Sequence, residues 1–293
     1  MTLTYPRGEE TTKSYYIPLM YLHKIKRPGE NYIVKTILMD DLLILLFAFG
    51  NFNASFSSSL NILPIALLTL SFWCIYDYGY YENDLVAAKY EKDPKLSDKY
   101  YSELTKVVWW QPWCWAILFA VVGTLTLGGF VELDALFLNA DGLSSILAQR
   151  LSSSLPLWLG FLLVSRFVFF VYNYVNKQTR IWLYPLLQFS RYCGLMLLLP
   201  INLVGISAIL GHVLARSTTY VVYRFAGANN WPKFQDLFLR WLLFVLILST
   251  TAFTQSAPEL LYSWQALIIG GWWLFKCRNE IVEIVKSVKP VWD

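Results

Sequence analysis

The sequence predicts an all-α polytopic membrane protein, a bundle of about eight or nine transmembrane helices. Three observations carry this. First, 56% of the 293 residues are hydrophobic and 17% aromatic, while only 15% are charged, a balance foreign to soluble domains. Second, apolar runs recur at roughly 37–50, 60–80, 107–130, 155–175, 181–201, 203–223, 238–254 and 260–276, most of them near the twenty residues that cross a 30 Å hydrocarbon core. Third, basic residues are sided. Six Lys and Arg lie in 1–36, five in 81–106, two in 177–180, three in 224–240 and four in 276–289, twenty of the 24 in all. If the spans alternate, these segments share one face. The opposite connections, 51–59, 131–150, 201–202 and 255–259, carry only Arg150, beside Glu132, Asp134, Asp141 and Glu259. The positive-inside rule then makes both termini and the charged loops cytoplasmic.

In chain order, residues 1–36 form a cationic, Tyr-rich segment suited to the membrane interface, with no cleavable signal. A single membrane domain follows over 37–277, and 278–293 is a cytoplasmic tail. The stretch 143–154 reads as a short interfacial helix on the outer side, ahead of Pro156. Cys74, Cys114, Cys193 and Cys277 sit in or beside apolar runs without metal-ligand spacing and read as buried small hydrophobes.

The second run passes directly into Asp77-Tyr-Gly-Tyr-Tyr-Glu82-Asn83-Asp84-Leu-Val-Ala87-Ala-Lys-Tyr-Glu91. Asp77, Asp84 and Glu91 are seven apart, so a continuous helix aligns them on one stripe with a spacing of about 10.5 Å. Such a row needs neutralising, either by a divalent cation or by Lys89, Lys92 and Lys95 at a helix end leaving the bilayer. Later connections carry Tyr172-Asn173-x-x-Asn176-Lys177-Gln-Thr-Arg180 and His212-x-x-x-Arg216-x-x-x-Tyr220-x-x-Tyr223-Arg224. Acid on one loop and base on two others suits a phosphorylated ligand. Arg166, Arg191, His212 and Arg216 fall within spans, where ionisable groups face the interior or a wet cavity. Arg191 and Arg216 are expected to line a polar cavity, and His212 to be a hydrogen-bonded structural residue. Hydrolytic triads, phosphate loops, dinucleotide fingerprints and nucleic-acid binding find no support, and the marks of carriers, duplicated halves and broken midplane helices, are not apparent.

These motifs resemble those of the UbiA-type intramembrane prenyltransferase superfamily. The frame Asn83-Asp84-x-x-Ala87-x-x-x-Glu91 is similar to its Asn-Asp-x-x-Asp-x-x-x-Asp signature. Lys24-Ile-Lys26-Arg27-Pro28 resembles its Arg-Pro motif ahead of the first span. Tyr172-Asn173-x-x-x-Lys177 and the run from Gln188 through Arg191 to Gly194 resemble its later motifs. Two positions depart: Ala87 and Glu91 stand where the family has aspartates. In place of a second Asp-rich motif stand Arg216, Thr219, Tyr220, Tyr223 and Arg224.

The resemblance implies a helical bundle around a cytoplasm-facing cavity in the lipid bilayer. It also implies a prenyl diphosphate or polyprenyl phosphate substrate, with Mg²⁺ held by Asn83, Asp84 and Glu91. Asp84, Glu91 and Lys177 would be catalytic, and Arg191, Arg216, Tyr220 and Arg224 would bind phosphate. The expected activity is prenyl transfer or a related lipid-phosphate transfer. A terpene cyclase and a non-catalytic lipid-phosphate-binding or assembly subunit are the alternatives.

Overall fold

A computed structural model describes residues 16–50, 61–103, 107–127, 145, 147–226 and 235–288. All regular structure among them is helical. The expected outer connections 51–59 and 131–144, residues 1–15 and residues 227–234 lie outside the described residues.

A helix occupies each of the eight apolar runs. α1 is a π-helical stretch, Ile33–Leu42, continued by α-helical Leu43–Phe49. α2 is Ile62–Tyr90, and the short α3 is Asp98–Glu103. α4 is Trp110–Leu125, α5 Leu155–Tyr174, α6 Arg180–Cys193, α7 Leu203–Ala226, α8 Asp236–Thr254 and α9 Trp264–Ser287. Three of these helices are long and apolar enough to cross a membrane: Ile62–Tyr90, Leu147–Tyr174 and Asp236–Thr254. Trp110–Leu125 is apolar but shorter.

The helix ending at Tyr174 corrects one expectation, because residues 147–154 are not a separate interfacial helix. They run straight into α5 through a π-turn, Arg150–Ser154, immediately before Pro156. Proline lacks an N–H and crowds the preceding turn. A widened turn just ahead of it lets the helix continue.

The helices close into a ring. α2 packs on α4 and α5, α5 on α6, α6 on α7, and α7 on α8 and α1. α8 packs on α9, and α9 returns to α1, which also touches α2. Two apolar cores fill it, both with α1 among their walls. One gathers Leu45, Leu68, Trp73, Trp158, Leu162 and Tyr192, and the other gathers Ile44, Ala208, Phe244, Leu248, Ile269 and Trp273. Outward faces remain apolar: Leu163 and Phe167 on α5, Leu246 and Phe253 on α8, and Leu267 and Phe275 on α9 are exposed. Such an apolar rim is a surface suited to lipid. Cys114 is exposed on that rim, contrary to its expected burial, whereas Cys74 and Cys277 are buried and all four cysteines are free.

The described part of the N-terminal segment is not draped loosely beside the ring. Tyr16, Leu19, Tyr21, Leu22 and Ile25 are buried. Trp115 Nε1 of α4 donates to the Tyr16 carbonyl at 3.1 Å, and Ser97 Oγ donates to the Ile25 carbonyl. Leu19 takes φ 67°, a left-handed backbone costly for leucine. The turn it makes starts a helix whose Leu22 N–H meets the Asp77 carboxylate at 2.9 Å, a favourable place for an anion.

Candidate functional site

One end of the ring collects the charged segments. The C-terminal ends of α2, α5 and α7 and the N-terminal ends of α6 and α8 converge there. Lys95 reaches the Tyr223 hydroxyl, Arg180 reaches Glu91, and Gln235 reaches Glu283 of α9. At the other end, Gln265 donates to the Phe47 carbonyl and Arg150 to the Leu125 carbonyl.

Each carboxylate of the α2 stripe has a different partner. Asp77 is fully buried and accepts from the Tyr16 hydroxyl at 3.0 Å and the Leu22 N–H. Asp84 accepts from Tyr21 Oη at 2.7 Å and Lys26 Nζ at 2.5 Å. Glu91 lies just beyond the helix, where the backbone turns extended. It receives Arg180 at 2.7 Å and Lys177 at 3.5 Å. The cations seated on Asp84 and Glu91 thus come from the N-terminal segment and the α5–α6 connection, while Lys95 reaches the Tyr223 hydroxyl. Proximity in sequence misled because side chains at the helix end point outward, while these carboxylates face packed neighbours.

This bears on Mg²⁺. Asn83 Oδ1 is buried without a partner, and Asn83 Nδ2 donates weakly to Asp84 at 3.4 Å. Both Asp84 oxygens are engaged, and Glu91 stands about two helical turns away, near 10 Å. Among the described residues no three His, Cys, Asp or Glu side chains gather to hold a metal. Mg²⁺ bonds oxygen at about 2.1 Å. Asn83, Asp84 and Glu91 as arranged therefore do not fit a shared Mg²⁺ ligand set.

Beside Glu91 opens a cleft of about 670 Å³, within the size range of ligand sites. Glu91, Asp93, Asn173, Asn176, Lys177 and Arg180 line it. Asn176 starts α6 by accepting the Thr179 N–H at 2.8 Å. Arg180 is fixed by the Tyr172 and Asn173 carbonyls at 3.0 and 2.9 Å. Burial of the Glu91 carboxyl works against ionisation, but the Arg180 hydrogen bond and charge, with Lys177, win and hold it below the ordinary 4.5. Around the next helix, Tyr220 stacks on Tyr184 at 3.8 Å, meets the Tyr172 hydroxyl at 2.9 Å and accepts from Arg224 Nε at 3.1 Å.

Deeper in the ring, two adjacent aspartates on the π-helical part of α1 feed different clusters. Asp41 pairs with Arg191, both nearly without exposure, and accepts from the Tyr192 hydroxyl at 2.7 Å. The Arg191 guanidinium lies over Trp73 and Tyr76, 4.8 and 5.6 Å from the ring centres. Asp40 receives Lys276 at 2.7 Å, Arg240 at 3.2 Å and Arg216 at 3.4 Å. Arg240 also binds Asp236. Four cations thus face three carboxylates, an excess of one positive charge. His212 does not take its expected role: it is fully buried between Tyr192 and Trp273, and neither ring nitrogen has a hydrogen-bond partner among the described residues.

No protein-family model, curated protein or solved structure matches this chain.

The ring therefore brings Glu91 and Lys177 together, and separately Tyr220 and Arg224. It separates Asp84 from Glu91 and commits Arg191 and Arg216 to aspartates of α1. Sequence reasoning placed Arg180 on a basic connection without assigning it a role, and missed Asp40, Asp41, Arg240 and Lys276. The signal for two of them was present: a carboxylate pair inside the apolar run 37–50, where such residues are expensive and seldom idle. Arg166, only 17% exposed, forms a two-pronged bond to Glu82 of α2 at 2.8 and 2.9 Å, which Asn173 joins at 2.9 Å.

Proposed function

We propose that this chain is a multi-pass membrane transferase of UbiA type acting on the phosphate or diphosphate of an isoprenoid lipid. In this reading the charged end of the ring is cytoplasmic, as its basic residues require. The observation that carries it is the placement at that one end of two groups, Glu91 from α2 with Lys177 and Arg180 from the α5–α6 connection, and Tyr220 with Arg224 from α7. Tyr172 lies between them: Arg180 is 5.5 Å from its ring centre and its hydroxyl is 2.9 Å from that of Tyr220. The first two of these three segments carry the family resemblance, and the third stands where the family has its second Asp-rich motif.

Lys177 is more than half exposed and Arg180 is fixed by two carbonyls. The first is free to follow a phosphate oxygen and the second is held to receive one, charge-assisted in both cases. Arg224 adds a cation beside the stacked Tyr184 and Tyr220. Their ring faces and that of Tyr172 suit the allylic cation left by diphosphate departure.

A second reading, a non-catalytic lipid-phosphate-binding or assembly subunit on the same scaffold, is favoured by the ion pairs that already occupy Asp84 and Glu91. One experiment separates them. Purified full-length protein is incubated with radiolabelled prenyl diphosphates of several lengths, with Mg²⁺ or with EDTA, and pyrophosphate and lipid products are followed. Release of pyrophosphate with a new lipid supports the transferase, and the product's structure distinguishes transfer from cyclisation. Retained binding without release at any chain length supports the binding subunit.

A further inference from the structure

We propose that the Lys26 ammonium stands where a divalent cation would otherwise neutralise Asp84, so that this chain's phosphate site operates with a fixed protein cation and no bound metal. The substrate half of this statement rests on the function proposed above; the cation half does not.

Asp84 is almost completely buried, its side chain 3% exposed, and a bare carboxylate there is costly. It needs one positive charge, and the fold delivers Lys26 to it. The Asp77–Leu22 and Asp77–Tyr16 bonds fasten the N-terminal helix along α2, and the Tyr21 hydroxyl takes one Asp84 oxygen. Lys26, on the next turn, takes the other oxygen at 2.5 Å. Its side chain keeps 18% exposure against the 3% of Asp84, so the ammonium forms the outer member of the pair. It also lies 6.0 Å from the centre of the Tyr80 ring. An ammonium has three donors, so its carboxylate contact leaves it able to meet an anionic oxygen.

The surroundings agree. Ala87, one turn along α2 from Asp84, removes the neighbouring carboxylate that a metal would share. Glu91, two turns along, is neutralised by Arg180 and Lys177. Every carboxylate of the stripe therefore has a protein donor already, and Lys26 supplies the cation at Asp84, about two helical turns from the cleft lined by Lys177 and Arg180. The exchange is of one cation for another with no covalent step.

The test uses full-length protein in detergent, with Mn²⁺ binding read by electron paramagnetic resonance and geranylgeranyl diphosphate binding read with Mg²⁺ or EDTA. Wild type is expected to bind no Mn²⁺ that Asp84→Asn abolishes, and to bind the diphosphate equally in both buffers. Lys26→Met uncovers Asp84. It should gain a Mn²⁺ site that Lys26→Met/Asp84→Asn lacks, and lose about tenfold in diphosphate affinity in EDTA, recovered by Mg²⁺. Lys26→Arg, which keeps the charge, should behave as wild type. Wild-type Mn²⁺ binding abolished by Asp84→Asn, or diphosphate binding lost in EDTA, overturns the proposal. So does a folded Lys26→Met protein that gains no metal site. If Lys26→Met does not fold, the two wild-type measurements decide alone. The Mn²⁺ measurement involves no lipid, so failure of the diphosphate to bind any variant counts against the proposed substrate and leaves the cation exchange to be judged on Mn²⁺.

Discussion

Arg166 lies mid-helix in α5 and makes a two-pronged bond to Glu82 of α2 while stacking 4.9 Å from the Tyr78 ring centre. Removing one member of such a half-buried pair leaves the other charge uncompensated, which costs about 3–5 kcal/mol. Arg166→Met should therefore lower the melting temperature in detergent steeply. Adding Glu82→Gln should recover much of the loss, which a purely steric role for Arg166 would not allow. Glu91 gives a second test at this scale. Its folded value lies below the ordinary 4.5, so its bonds to Arg180 and Lys177 stabilise fully above about pH 4.5. That contribution is lost as pH falls through the lower folded value. Melting curves of wild type and Glu91→Gln should differ at neutral pH and converge as pH falls through the lowered folded value; a constant difference would refute the assignment.

At the scale of helices, α1 is the joint between the two apolar cores and the two buried ionic clusters. Adjacent residues on a helix face different directions. Asp40 and Asp41, side by side, can therefore serve α7–α9 and α6 respectively. The π-helical winding around them is the unusual backbone form, frequent at functional sites. Helix approach is also set by Gly211, where an added Cβ would come within 2.9 Å of the Phe244 backbone nitrogen. Gly211→Ala must push α7 from α8, at about 1–3 kcal/mol. Because Arg216 on α7 and Arg240 on α8 both reach Asp40, the variant should lose melting temperature and couple non-additively with Asp40→Asn. Additive losses would show that the helix contact and the ionic cluster are independent.

Taken whole, the ring has one charged end, one less charged end and an apolar rim. If it spans a bilayer with its basic end cytoplasmic, cysteines at Lys92→Cys and Ser256→Cys should label from opposite faces of oriented vesicles, in a background lacking Cys114. Labelling from the same face would refute the alternation of spans. Much of this architecture was legible in the residue order. Helical runs announce themselves by apolar length, because an unpaired backbone in lipid is too costly for any other open form. The shared end was legible in the placement of Lys and Arg. The 147–154 segment was misread because a proline preceded by small polar residues looks like a boundary, and only the widened turn before Pro156 shows the helix continuing.

The sequence by itself determined the helical class, the positions of eight helices and the segments from which charged residues would converge. Those follow from local composition, which needs no knowledge of partners. Only the tertiary structure decided which charge neutralises which. Asp84 meets Lys26 across 58 positions, Glu91 meets Arg180 across 89, and Arg191 meets Asp41 across 150. Buried charge must find an opposite charge within a few ångströms. Which one it finds depends on how helices close into a ring, a property that neither spacing nor composition encodes.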